Sequence, residues 1–143
     1  MKSVVVDTGA WIALLSRADQ HAAAAAERYG ELSAEGARLV TTNYIVDETA
    51  TRLRYGAGLD AALAYRKMLD DSVQARRLRI AWVDETTERE AWRVLEQYRD
   101  VTLSLTDATT AVAARRAQIG EIFGFDRDFE ALGLLVLPGA PRK

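Results

Sequence analysis

The sequence predicts one α/β domain, with a mostly parallel central sheet of about five strands and helices on both faces. Three observations carry this reading. Short β-branched runs alternate with stretches of helical period along the chain. Close to half of the 143 residues are apolar and a little over a quarter are charged, enough for one buried core. No repeat or linker divides the chain, so residues 1–143 are read as a single domain with 138–143 as a loose tail.

Taken in order, Val4 to Asp7 is expected as a short buried strand feeding a helix from Gly9 to about Ser16. The Ala-rich stretch from His21 to Leu32 forms a second helix, because alanine has the lowest helical cost of any residue. Arg38 to Thr42 is a strand, and Asn43 caps a helix through Tyr55 that stops at Gly56 and Gly58. A long helix follows from Leu59 to about Arg77, then a strand from Arg79 to Val83 and a helix from Thr87 to Tyr98. Thr106 or Asp107 caps a helix through Gln118, and Ile122 to Phe125 and Leu134 to Leu137 complete the sheet. Parallel strands read as continuous apolar runs, which requires cover on both faces.

Composition narrows the function. The chain has no cysteine, which removes disulfides and thiolate zinc sites and fits a reducing, cytoplasmic setting. Its longest apolar stretches, Ala10 to Leu15 and Leu132 to Leu137, are far shorter than the roughly 20 residues of a bilayer crossing, so no membrane partner is expected. The first strand begins within three residues of Met1, leaving no room for a leader. Net charge is −2, which argues against a globally basic nucleic-acid coat. Residues 52–79 nonetheless form a basic island, with seven basic side chains against Asp60, Asp70 and Asp71. That island is either a solvated helix face or a surface that attracts phosphates or an acidic protein segment.

Acidic residues give the sharper signal. Placed on a parallel sheet, Asp7 follows the first strand, Glu48 lies in the helix after the second, Asp107 opens a helix, and Asp126 follows the fourth strand with Asp128 beside it. All reach the carboxyl edge, where open α/β sheets bind ligands. Singly, each has an ordinary role: Asp7 and Asp107 as N-caps, Asp126 and Asp128 as turn residues, Glu48 as a surface residue. Helical phase leaves Asp47 and Glu48 equivalent, since both flank the stripe of Ile45, Val46, Thr49, Ala50 and Leu53. Together, carboxylates a few ångströms apart repel and take up protons unless a cation neutralises them. Oxygen-only ligands, without cysteine and with a single histidine, suit Mg²⁺ or Mn²⁺. Such an ion polarises a phosphodiester oxygen and eases deprotonation of water, so phosphodiester hydrolysis fits these parts best.

Other motifs fail on named residues. Asp7-Thr8-Gly9 matches the aspartic protease triplet, but those enzymes are β-rich and this chain is not. A haloacid-dehalogenase-type phosphatase needs a second Asp where Gly9 stands, and a receiver domain needs a lysine after a late strand, where only Lys143 follows. His21, the single histidine, is expected as a surface or capping residue away from the acids, which removes a Ser-His-Asp triad. Trp11, Trp82 and Trp92 are read as core or dimer contacts in preference to base-stacking platforms, and Tyr44 and Tyr55, which flank the Glu48 helix and could touch a base, as packing residues.

Four stretches in order, VVVDTGAWIALL (Val4 to Leu15), TTNYIVDETATRL (Thr41 to Leu53), SLTDATTAVAARR (Ser104 to Arg116) and FDRDFEALGLLVL (Phe125 to Leu137), resemble the PIN-domain ribonucleases, and among them the VapC-like toxins of toxin-antitoxin pairs. The resemblance implies a PIN-like fold and an acidic quartet of Asp7, Glu48, Asp107 and Asp126, choosing Glu48 over Asp47. It implies a metal held by Asp7, Asp107 and Asp126, with Thr8 supplying a hydroxyl beside the first acid. Members of the family use Mg²⁺ to cut single-stranded or looped RNA, pair as homodimers, and are silenced by an antitoxin that lies across the active-site groove. Arg52, one turn after Glu48, becomes either a contact for RNA or antitoxin or the ion-pair partner of Glu48. One departure stands out: Gly124 replaces the usual Ser or Thr two residues before the fourth acid, removing a hydroxyl near a second metal position and leaving Asp128 to share the role of Asp126. The competing expectation is a catalytically weak PIN-like module that binds RNA or protein.

Overall fold

The computed structural model describes residues 2–138. In chain order the elements are β1 (Ser3–Val6), α1 (Thr8–Leu15), α2 (Ala22–Ala34), β2 (Arg38–Thr42), α3 (Asn43–Ala57), α4 (Leu59–Gln74), β3 (Leu78–Ala81), α5 (Glu85–Gln97), α6 (Leu105–Arg116), β4 (Glu121–Phe123), a 3-10 helix (Arg127–Leu132) and β5 (Leu135–Leu137). The five strands form one sheet in the order β3-β2-β1-β4-β5, every pair parallel. From β1 the chain moves outward to β2 and β3, then crosses to the other side for β4 and β5. Parallel crossovers are right-handed, so the reversal assigns α1–α4 and α5–α6 to opposite faces. The reversal occurs at β1, which places a ligand crevice beyond its carboxyl end.

Val4, Val5 and Val6 are buried at the centre of the sheet, joined by Trp11, Ile45, Ile122, Phe123 and Phe129 in the main core. A smaller cluster of Ala91, Val94, Ala108 and Val112 seals α5 against α6. Trp11 is fixed in two ways: its ring packs on Tyr65 at 5.6 Å, and its indole Nε1 donates to Thr41 Oγ1 at 3.3 Å. The Thr41 hydroxyl in turn donates to the Val6 carbonyl, tying the ends of β1 and β2 together.

Several expected details are corrected. Thr42, not Asn43, caps α3 by accepting from the Ile45 amide. Asn43 is instead used at longer range, its Oδ1 accepting from the Val83 amide at 2.6 Å and anchoring the loop after β3. Ser104, rather than Thr106 or Asp107, caps α6. The long helix ends at Gln74, and Arg76 turns the chain with a φ of 60° before β3 begins. Tyr55, expected to pack, is 87% exposed; Trp11 lies in the core as expected, and Trp82 and Trp92 are 73% and 52% exposed in the single chain, outside its core. No helix among the described residues is long and apolar enough to cross a membrane. Of the expected tail, residues 139–143 lie outside the described residues.

Candidate active site

Asp7 follows β1 at the point of strand reversal. Its backbone is held on both sides: its amide donates to the Phe123 carbonyl at 2.9 Å, and its carbonyl accepts from Ala10 and Trp11. Although it stands at the N-cap position of α1, its side chain makes no capping bond. A carboxyl at a cap position that does not cap the helix and is only 7% exposed is unusual for a helix start. Burial pushes the Asp7 carboxyl up to about 7; the Thr8 amide opposes this, while the negative charges of Asp107, Glu48 and Asp126 add to it. Acids from four separated parts of the chain therefore act on one another.

The other three are each tied locally. Glu48 is half-buried and accepts from the Thr8 hydroxyl at 2.5 Å, which links the first turn of α1 to the middle of α3. Asp47, its neighbour, is exposed, and it is Glu48 whose charge acts on Asp7 and Asp107. Asp107 is the third residue of α6 and completes a capping box: Ser104 Oγ accepts from the Asp107 amide and Asp107 Oδ2 from the Ser104 amide, both at 3.0 Å. Burial raises the Asp107 carboxyl, the Ser104 bonds pull it down, and Asp126 and Glu48 push it up. Asp126 is exposed and caps the 3-10 helix by accepting from the Asp128 amide at 2.9 Å. Asp128 is exposed, and its amide donates to Asp126.

Gly124 explains its own departure from the expected hydroxyl. A Cβ at this position would lie 3.1 Å from the Asp7 Cβ and 3.5 Å from its Oδ2, tighter than side chains normally pack. Glycine lets the carboxyl of Asp7 lie close against the end of β4.

Three residues near the site fell outside sequence reasoning or were placed wrongly by it. Ser104 positions Asp107, and the Ser-x-x-Asp spacing ahead of a helix was the available signal. Phe125 stands beside Gly9, with its Cδ2 3.9 Å from where a Cβ there would be. His21, expected away from the acids, stacks on Phe125 at 4.1 Å with rings nearly parallel, one residue from Asp126. It occupies the N-cap position of α2 without capping it. Arg52 is exposed and forms no ion pair with Glu48 among the described residues.

Chemically, the arrangement is an all-oxygen set in which the strongest charges acting on Asp7 and Asp107 are negative. That fits a divalent cation. Among the described residues no three acidic side chains already stand close enough to hold a cation together.

Comparisons with known proteins agree with this architecture. The chain is 28% identical over 132 residues, 92% of its length and 95% of the other's, to the 23S rRNA-specific endonuclease VapC20 of Mycobacterium tuberculosis. It is 29% identical over 129 residues to a VapC ribonuclease of Archaeoglobus fulgidus, covering 89% of this chain and 79% of that one. The crystal structure of the Mycobacterium tuberculosis protein, described as a sarcin-ricin loop cleaving toxin, superposes with a TM-score of 0.77 over 92% of this chain and 95% of that one. That of VapBC2 from Rickettsia felis, bound to a promoter DNA fragment, shares the fold at a TM-score of 0.67 and 12% identity, covering 94% of this chain and 96% of that one. The PIN domain model matches residues 4–134, which takes in all five acids and nearly every element described above: the chain belongs to the PIN domain family.

Proposed function

We propose that this protein is a divalent-metal-dependent endoribonuclease acting as the toxin of a toxin-antitoxin pair. The observation that carries the reading is the buried Asp7 carboxyl, raised by burial and then by Asp107, Glu48 and Asp126 together. Relatives of matching length named as ribonucleases support it. Asp7, Asp107 and Asp126 would hold the ion, Mg²⁺ by preference and Mn²⁺ as a substitute, and Glu48 would reach it through water. When bound, the ion supplies charge neutralisation for the phosphodiester in the transition state and acidifies water.

The chain's own residues do the rest. Thr8 holds Glu48 by one carboxylate oxygen, leaving the other to accept a proton from the attacking water. Ser104 holds Asp107 by one oxygen in the same manner, so each acid is fixed by one atom and free at the other. Asp126, exposed at the mouth of the pocket, faces the incoming strand. Asp128 is a second, weaker candidate for that place. In-line attack by water leaves a 5′-phosphate. A cognate antitoxin covering this edge, a homodimer and a cytoplasmic setting complete the reading, with residues 1–143 acting as one domain.

Asp7→Asn tests it. The substitution is nearly isosteric and removes the charge that binds the ion, so Mg²⁺-dependent RNA cleavage should vanish while circular dichroism stays native. Undiminished degradation by a clean preparation of the variant would remove Asp7 from the reaction. Binding of RNA without cleavage by the wild-type protein would favour the binding-module alternative.

A further inference from the structure

Along the outer side of β3 runs an open groove of about 480 Å³ that belongs to no part of the acidic pocket. Arg38, Arg76 and Arg79 line it together with Val73, Ile80 and Trp82. β3 is the outermost strand, and Trp82 just beyond it is 73% exposed. None of the three arginines forms an ion pair with a described residue. Nearby acids are already engaged: Asp70 with Arg66, Asp71 with Lys67, and Asp84 with the Thr87 amide and Arg116. Arg76 occupies the left-handed region at the end of α4, where glycine is the least costly residue. An arginine is nevertheless placed there.

The groove runs along β3 from its amino end, where Arg38 and Arg76 lie, to Trp82 just past its carboxyl end. Val5 pairs with Val40, Val40 with Arg79, and Thr42 with Ala81. Trp82 therefore stands at the same carboxyl edge as Asp7, two strands across, or roughly 10 Å. The arginines extend from there back along the strand.

We propose that this groove holds the flank of a single-stranded RNA whose cleaved phosphate lies at the acidic pocket, with Trp82 stacked on a base and Arg38, Arg76 and Arg79 on phosphates. The proposal rests on the nuclease reading above. A second copy of the chain is a poor occupant, because a twofold contact would set the arginines against each other. An acidic peptide would match the arginines but leaves the exposed indole at the cleavage edge without a purpose. A nucleobase uses both, since bases stack on aromatic faces whatever their sequence.

The test is fluorescence anisotropy with a labelled, unstructured single-stranded RNA of mixed sequence, in EDTA so that no cleavage intervenes. Trp82→Ala should weaken binding roughly five- to hundredfold, and Trp82→Phe should restore most of it. Arg76→Gly and Arg79→Gln should each reduce the slope of log affinity against log salt by about 0.7. Arg76→Gly relaxes the backbone, so its effect is not one of unfolding. Wild-type affinity in all of these variants overturns the proposal. So does a Trp82→Ala protein that loses self-association, or poly-glutamate binding, with RNA binding intact. Cleavage assays on the same proteins separate the two readings. A wild type that cuts RNA while groove variants bind normally overturns only the groove; groove-dependent binding by a wild type that never cuts overturns only the nuclease.

Discussion

Asp7 concentrates the physics of the site in one side chain. Its carboxyl is raised from 3.8 to about 7 in the fold. Between those values the folded chain keeps a proton that the unfolded chain has released, so this group's contribution to stability falls as pH rises from about 4 to 7 and stays low above. A shift of about three units corresponds to on the order of 4 kcal/mol. Asp7→Asn should therefore make the metal-free protein more stable than wild type at pH 8 and not at pH 4, by urea unfolding in EDTA. Equal stabilities at pH 8 would mean that the carboxyl is not strained. Gly124→Ser makes a second residue-level test. The substitution places a Cβ against Asp7, so cleavage should fall and stability drop by about 1–3 kcal/mol from overpacking. A gain in activity would show that Asp7 tolerates displacement. The choice between Asp47 and Glu48 was illegible locally because two adjacent helical positions flank the same stripe. Only the contact of Thr8 with Glu48, across 40 residues, separates them.

At the scale of elements, the start of α6 is where structure and chemistry share the same atoms. Ser104→Ala removes the cap, which should cost about 1 kcal/mol of stability. It also removes the hydroxyl's part in holding the Asp107 carboxyl down, while the Ser104 amide still donates to it, so the rise of activity with pH should move slightly to higher pH. A pH-rate profile unchanged in the variant would separate the cap from catalysis. The order and type of the main elements were readable from hydrophobic period, and β2 matched residue for residue. Caps were less readable. Thr42-Asn43 and Ser104-Leu105-Thr106-Asp107 each offer more than one capping side chain, and the winner depends on what else each can reach. Asn43 is taken by the Val83 amide, and Asp107 is needed as the reciprocal partner in the box. His21 was misplaced for a related reason: ring stacking between residues far apart in sequence leaves no periodic trace.

For the whole molecule, the convergence of acids was readable because parallel topology forces every strand to end at the same edge. The groove beside β3 was not, because the basic island splits: Arg66 and Lys67 pair along α4, while Arg76 and Arg79 join Arg38 from another segment. Added Mg²⁺ should raise the melting temperature more at pH 8 than at pH 5, where the proton on Asp7 competes with the ion. At a hundred times its dissociation constant the ion contributes about 2.7 kcal/mol. Equal rises at the two pH values in thermal melts would place the ion elsewhere.

The position of β1 has one more consequence. It is synthesised first yet lies in the middle of the sheet, bordered by β2 on one side and β4 on the other. A nascent chain leaving the ribosome carries Asp7 before its partners at 107 and 126, which emerge about 100 residues or more later. A nuclease of the proposed kind would thus be inactive while it is being made, and RNA passing the exit tunnel would meet no assembled pocket. Ribosome-stalled chains halted at residue 104 should be inert toward RNA, and only those long enough to free β4 and the turn after it should cut.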